Sequence, residues 1–497
     1  MTDTVLPSRT LDELVSPSLD YTPKQLSHGQ LTMTKILPLA NTSAVTLQAT
    51  STTESLFEIP TQVINLAESR LQFDLDLAAA GANTANFIHA LGHAAIDRIS
   101  LYTRSNVYLC DVNNYNVYSR MALPRAIPFD DYLERDTGIA GPVLFGTGAT
   151  SVTEMASGLQ KCNSAAANRL QYTNASDVDV ANAIVSNGNY RPAVETTYGT
   201  IANVEPRYLI NNKAAAPSNV ASCVRFDIKL GDMVGTIFSL PQNLVFPEVL
   251  IMRIQWAGLN TIAFANATAT HPANAPVAAT AAAGGAIKNL NLILACETSQ
   301  HLIQQLTQQM RTGGIHLTTP FVFNTRTTVQ NMSTASIMQR LNRGHGKTLL
   351  RALYGAFTSG GTLNTAFDNY NLTSQTSSIA SKVKEFYTLL DQQRLQQYNM
   401  SVAGGDDWTI QKSLLKGGVI QSGDVYRANW AFADSWTGKP LAEDKEYDFV
   451  DNGVDLSTER LYNVMITSMN NAVTLDHYMA FVVQRDLSIT ATMITCQ

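Results

Sequence analysis

The sequence predicts a mainly β protein made of sandwiches, on three observations: strict apolar–polar alternation in many short runs, helical periodicity in only two places, and a charged fraction of 15%. Alternation signals a strand because successive side chains of an extended chain point to opposite faces, so every second residue enters a core. Such runs cover the whole length with few helices between them, which indicates packed antiparallel sheets rather than helices laid on a parallel sheet. At 497 residues the chain exceeds one ordinary core, so two domains are expected.

Taken in order, the first clear run is Leu71, Phe73, Leu75 and Leu77, with Gln72, Asp74 and Asp76 between them. Val224, Phe226, Ile228 and Leu230 then alternate with Arg225, Asp227 and Lys229, and Leu250, Met252, Ile254 and Trp256 with Ile251, Arg253 and Gln255. Further strands are expected over 290–296, 320–329, 462–466 and 483–493. Helix spacing recurs in Leu302, Ile303, Leu306 and Met310, after Ser299 as N-cap and before the stop at Gly313-Gly314. A second stripe, Ile379, Val383, Phe386, Tyr387 and Leu390, follows Ser377-Ser378 and predicts a helical insertion at about 378–398. Two stretches, 138–200 and 257–287, lack periodicity and read as long surface loops; the second contains no Asp, Glu, Lys or Arg. A faint internal echo joins Leu101-Tyr102 and Asn114-Tyr115-Asn116 to Leu353-Tyr354 and Asn369-Tyr370-Asn371, both in a strand-then-turn setting, as a duplicated sandwich would give.

Charge excludes one class of partner. A net charge of -6 opposes phosphate neutralisation, and in residues 1–29 Asp3, Asp12, Glu13 and Asp20 outweigh Arg9 and Lys24, so no sequence-specific nucleic-acid binding is expected. An uncharged polar surface rich in Ala, Asn, Thr, Ser and Gln suits repeated subunit contacts, where each unpartnered desolvated charge costs several kcal/mol. The cysteines, Cys110, Cys162, Cys223, Cys296 and Cys496, are odd in number and show no C-x-x-C spacing, which indicates folding in a reducing compartment. Residues 1–29 hold no apolar signal core and no run reaches roughly 18 apolar residues, so neither secretion nor a membrane span is expected. The N-x-S/T triplets at Asn41, Asn174, Asn266 and Asn371 read as chance in a chain this rich in Asn and Thr.

The motifs that suggest chemistry are each incomplete. Gly346-Lys347-Thr348 matches the end of a phosphate-binding loop, but position 341, which should be glycine, is Leu341. His89 and His93 have zinc-protease spacing, yet position 90 is Ala rather than the activating Glu. The adjacent acids Asp130-Asp131, Asp406-Asp407 and Glu443-Asp444 would point apart in extended chain, which makes them solvated loop charges rather than an acid/base pair. Tyr426, Trp430 and Trp436 could form a sugar-stacking platform, but Tyr426, Ala428 and Trp430 alternate with Arg427 and Asn429 as a buried strand face does. No catalytic, cofactor-binding or metal residue is assigned.

Two segments carry a family resemblance. The first runs through Leu56-Phe57-Glu58-Ile59-Pro60, Ser69-Arg70-Leu71-Gln72-Phe73, Ile96 to Tyr102 and Asp111 to Tyr118. The second runs through Arg340 to Lys347, Leu350-Arg351, Glu385-Phe386-Tyr387 to Tyr398, Asp407-Trp408 and Asp424 to Trp430, closing on Val482 to Ile489. From about residue 30 onward the chain resembles double jelly-roll major capsid proteins of polinton-like viruses and virophages, and more distantly those of giant viruses. The resemblance implies two consecutive eight-stranded antiparallel jelly-roll sandwiches, about 30–297 and 315–497, with a few short helices in insertions and a bridging helix and turn at 298–314. Residues 1–29 would be an arm along the inner shell surface. It also implies a homotrimer forming a pseudo-hexameric capsomer in an icosahedral DNA virus shell. Neighbouring capsomers, penton and other minor capsid proteins, and an internal membrane where one is present, would be its partners, with no enzymatic role. A viral attachment or carbohydrate-binding β-sandwich is the alternative.

Overall fold

Where polar and apolar residues alternate, the chain is extended and pairs with distant strands. The computed structural model describes residues 31–40, 43–77, 85–87, 92–126, 208–211, 223–265, 277–278, 284–330, 332–358, 383–401, 431–436, 453–469 and 474–496. The first eight principal strands are β1 (Leu31–Ile36), β2 (Thr53–Ile59), β3 (Val63–Leu77), β4 (Ile96–Thr103), β5 (Tyr108–Val112), β6 (Cys223–Lys229), β7 (Leu250–Trp256) and β8 (Gly285–Glu297). They form two antiparallel sheets, ordered β1-β8-β3-β6 and β2-β7-β4-β5. Phe73 and Phe226 of one sheet and Trp256 of the other meet between them, with Phe73 ring centroids 5.3 Å from Phe226 and 4.9 Å from Trp256. The one polar atom of that indole is satisfied by Ser55, whose Oγ accepts from Trp256 Nε1 at 2.9 Å.

The second eight are β9 (Ile315–Val329), β10 (Ala335–Leu341), β11 (Thr348–Thr358), β12 (Val383–Leu390), β13 (Gln393–Arg394), β14 (Ala431–Ser435), β15 (Arg460–Met469) and β16 (Leu475–Ile489). Their sheets are ordered β9-β16-β11-β14 and β10-β15-β12-β13. Tyr462 and Phe481 close this core edge-to-face at 5.4 Å. In the chain, an amphipathic helix, Gln300–Thr312, connects the two sandwiches and packs against the first, at Asn243–Val245. Ser299 holds its N-cap position without a side-chain cap bond; just before the helix, Glu297 Oε1 accepts from the Thr298 and Ser299 N–H groups at 3.0 and 2.8 Å.

Four expectations need correction. No helix is found in the described part of 378–398: residues 383–390 are strand β12, and a β-bulge around Glu385 explains the misreading. The bulge shifts the inward phase, so Val383 and Phe386, three apart, both face the core and imitate helical spacing. The stretch 257–287 is not structureless, since Leu259–Ile262 is a helical turn and Ala263–Ala265 and Val277–Ala278 are strands. These strands join Ala85–Phe87 and Tyr208–Asn211 in a small separate sheet built from three different connections. The run at 483–493 ends at Ile489, where Thr490 and Met493 close a turn. The internal echo is accidental: Tyr102 lies in the fourth strand of its sandwich and Tyr354 in the third of its own, and Tyr115 begins a helix, α1 (Tyr115–Ala126), rather than a turn. Residues 369–371, the 138–200 stretch and residues 1–29 lie outside the described residues.

Candidate functional site

The sequence-predicted chemistry does not converge. The Gly346-Lys347 turn abuts β16, so closely that a Cβ on Gly346 would sit 2.7 Å from the Gln484 carbonyl oxygen. The Lys347 N–H donates to that same carbonyl at 2.7 Å instead of facing outward, so the glycine serves strand packing and not an anion. His93 is fully buried, its Nδ1 2.7 Å from the Tyr115 hydroxyl. Trp436 is half-buried and packs edge-on against Tyr462 at 6.3 Å, a core contact rather than a stacking platform. Cys110 and Cys296 are buried free thiols, and Cys496 is a partly exposed one. Asn41, His89, Asp130, Asp131, Cys162, Asn174, Asn266, Asn371, Asp406, Asp407, Tyr426, Trp430, Glu443 and Asp444 lie outside the described residues. Among the described residues there is no group of His, Cys, Asp and Glu able to hold a metal ion, and no helix long and apolar enough to cross a membrane.

A buried polar cluster that the sequence did not signal sits inside the second sandwich. The Asp434 carboxylate accepts from Thr388 Oγ1 at 2.7 Å, Tyr462 OH at 2.8 Å and Gln396 Nε2 at 3.1 Å. Burial pushes its pKa up to about 6, against the pull of those donors. Nearby, the Tyr354 hydroxyl is 2.9 Å from His477 Nδ1, and burial lowers the His477 pKa to about 4. Both hydroxyls are held well above the usual tyrosine range by the same desolvation. Thr388, Tyr354, Tyr462 and His477 are 0% exposed, so no substrate can reach them, and the cluster ties strands β12, β14 and β15 across the core.

The remaining built feature is the seam between the sandwiches. Strand β9, the first of the second sandwich, lies against β5, the fifth of the first. Asn324 Nδ2 bridges the two, donating to the Asn113 carbonyl and to the Tyr478 hydroxyl, the latter at 2.6 Å. Gly235, at φ +76°, leaves the room that Val322, Val482 and the Tyr118 hydroxyl occupy, since a Cβ there would lie 3.1 Å, 3.4 Å and 2.7 Å from them. Arg326 pairs with the buried Asp476 and attracts Asp97 across the seam, although burial still raises the Asp97 pKa. The seam is therefore directional, joining a first-strand side to a fifth-strand side.

Counting principal strands along each sandwich, both have one sheet ordered first-eighth-third-sixth and another ordered second-seventh-fourth-fifth. The fold is a double jelly roll. That order is repeated in the two halves of one chain. The double jelly roll is similar to the Sputnik virophage structure solved by cryo-EM, at 12% identity over 95% of this chain and 89% of that one, TM-score 0.49. Likenesses to the PBCV-1 virus capsid (10%, 94% and 97%, TM-score 0.47) and to the mavirus major capsid protein (9%, 94% and 90%, TM-score 0.46) are comparable. No protein-family model matches the chain, and no curated protein matches it.

Proposed function

We propose that this double jelly roll is a major capsid protein, which trimerises into pseudo-hexameric capsomers and tiles an icosahedral double-stranded DNA virus shell. The observation that carries the reading is the directional seam between two lobes of identical strand order. A contact that joins unlike sides can be repeated by further copies, and closure after three copies gives a ring of six similar lobes needing only threefold symmetry. A ring of this kind packs on a hexagonal lattice. The low charge supports the reading, since close-packed subunit surfaces avoid desolvated unpaired ions.

In this reading residues 30–297 and 315–497 are the two lobes, 298–314 bridges them and 1–29 is an arm along the inner surface. The protein resides in the virion. Its partners are other copies of itself, neighbouring capsomers, penton and minor capsid proteins, and it performs no catalysis. Light scattering on the purified protein should give three times the 54.0 kDa chain mass, and negative-stain images should show six-lobed rings. A species that stays monomeric at micromolar concentration and neutral pH would overturn the proposal, since obligate interfaces of roughly 2,000–5,000 Å² survive dilution.

A further inference from the structure

Inside the chain one first-strand side meets one fifth-strand side, and covering has a visible effect: residues 319–322 of β9, opposite the first sandwich, are all buried. Among the described residues nothing covers the same side of the first sandwich. Among the described strands β1 pairs with β8 alone, so no described strand takes up the backbone N–H and C=O groups of its other edge. Leu31 and Met33 of β1 are 37% and 56% exposed, and just beyond the strand, where the Leu39 N–H donates to the Leu56 carbonyl of β2 at 2.8 Å, Leu37 and Leu39 are 53% and 59% exposed. A flat apolar edge strand is a template for uncontrolled pairing, and folded proteins cover or charge such edges. Only Lys35 interrupts the stripe. The fifth-strand side of the second sandwich carries its own exposed apolar pair, Leu395 at 36% and Tyr398 at 50%, in the segment after β13.

We propose that the Leu31–Met33–Leu37–Leu39 stripe docks on the Leu395–Tyr398 side of a second copy of this chain, repeating between molecules the contact that β9 makes with β5 within one. The surface rests on the trimeric shell reading and names the residues that hold the trimer together. Among the described residues each copy leaves one side of each kind uncovered, so the contact either closes into a ring or grows without end; the shell reading requires closure at three.

The test pairs a disruption with a capture. Met33→Glu combined with Leu37→Glu places two carboxylates in the stripe at exposed positions, where the fold of the single chain tolerates them. Light scattering should then show monomer where the unmodified protein is trimeric, a weakening of roughly a hundredfold or more. Met338→Glu, at an equally exposed residue on β10, should leave the trimer intact. A chain carrying Met33→Cys and Tyr398→Cys, treated with a short bismaleimide, should give covalent dimer and trimer bands that neither single variant gives. If the paired glutamates leave the trimer intact and the cysteine pair yields no such bands, this surface is wrong while the shell reading stands. A monomeric unmodified protein would sink both.

Discussion

At the residue scale, Asp434 and His477 are buried ionisable groups whose effects on stability have opposite signs. The Asp434 pKa is raised to about 6 in the fold, so the stability it contributes is present at low pH and is lost as pH rises through 6. The His477 pKa is lowered to about 4, so its contribution is present above the ordinary histidine value of 6.5 and is lost as pH falls toward 4. At about 1.4 kcal/mol per pH unit between free and folded values, each contributes about 3 kcal/mol, and between pH 4 and about 6 the two nearly cancel. Melting temperatures should reveal the parts separately. Relative to the unmodified protein, Asp434→Asn should lose stability between pH 7 and pH 5, because His477 is left unopposed, and His477→Gln should gain it. Equal pH profiles for all three proteins would show that these groups do not titrate as their burial dictates. No sequence signal marked Asp434, whose three donors come from segments 28 to 46 residues away.

At the scale of the element, alternation turned into burial with little loss. Along β7 the pattern is strictly alternate, with Leu250, Met252, Ile254 and Trp256 at 1% exposure or less. Ile254→Ala should therefore cost about 2–5 kcal/mol in denaturant unfolding, and Gln255→Ala, one residue along on the other face, under about 1 kcal/mol. Similar costs for both would contradict the register. Elements were misread where local pattern and tertiary phase part company. The β12 bulge put two apolar residues three apart on one face, and α1 was missed because Tyr115, Val117, Tyr118, Met121, Ala122 and Leu123 are all buried, leaving no amphipathic stripe to read. The short strands of 257–287 escaped because a run of small uncharged residues shows no contrast between its two faces.

For the whole molecule, the buried residues of both sandwiches form one contiguous cluster through the seam, which predicts that they unfold together. Calorimetry should show a single transition in the unmodified protein. Val322→Asp places a charge against Gly235 and Val482 and should lower stability by about 3 kcal/mol or more and separate the transition into two. A single undisplaced transition in that variant would mean that the lobes are not coupled there. The sequence by itself determined that the chain is extended and half-buried along most of its described length, because side-chain alternation is a local property written residue by residue. Only the tertiary structure decided which strands are neighbours, which sides are covered and which are bare. Those choices join partners as distant as Thr32 and Cys296, 264 residues apart, and they depend on shape and on the order in which sheets close, which no local window contains.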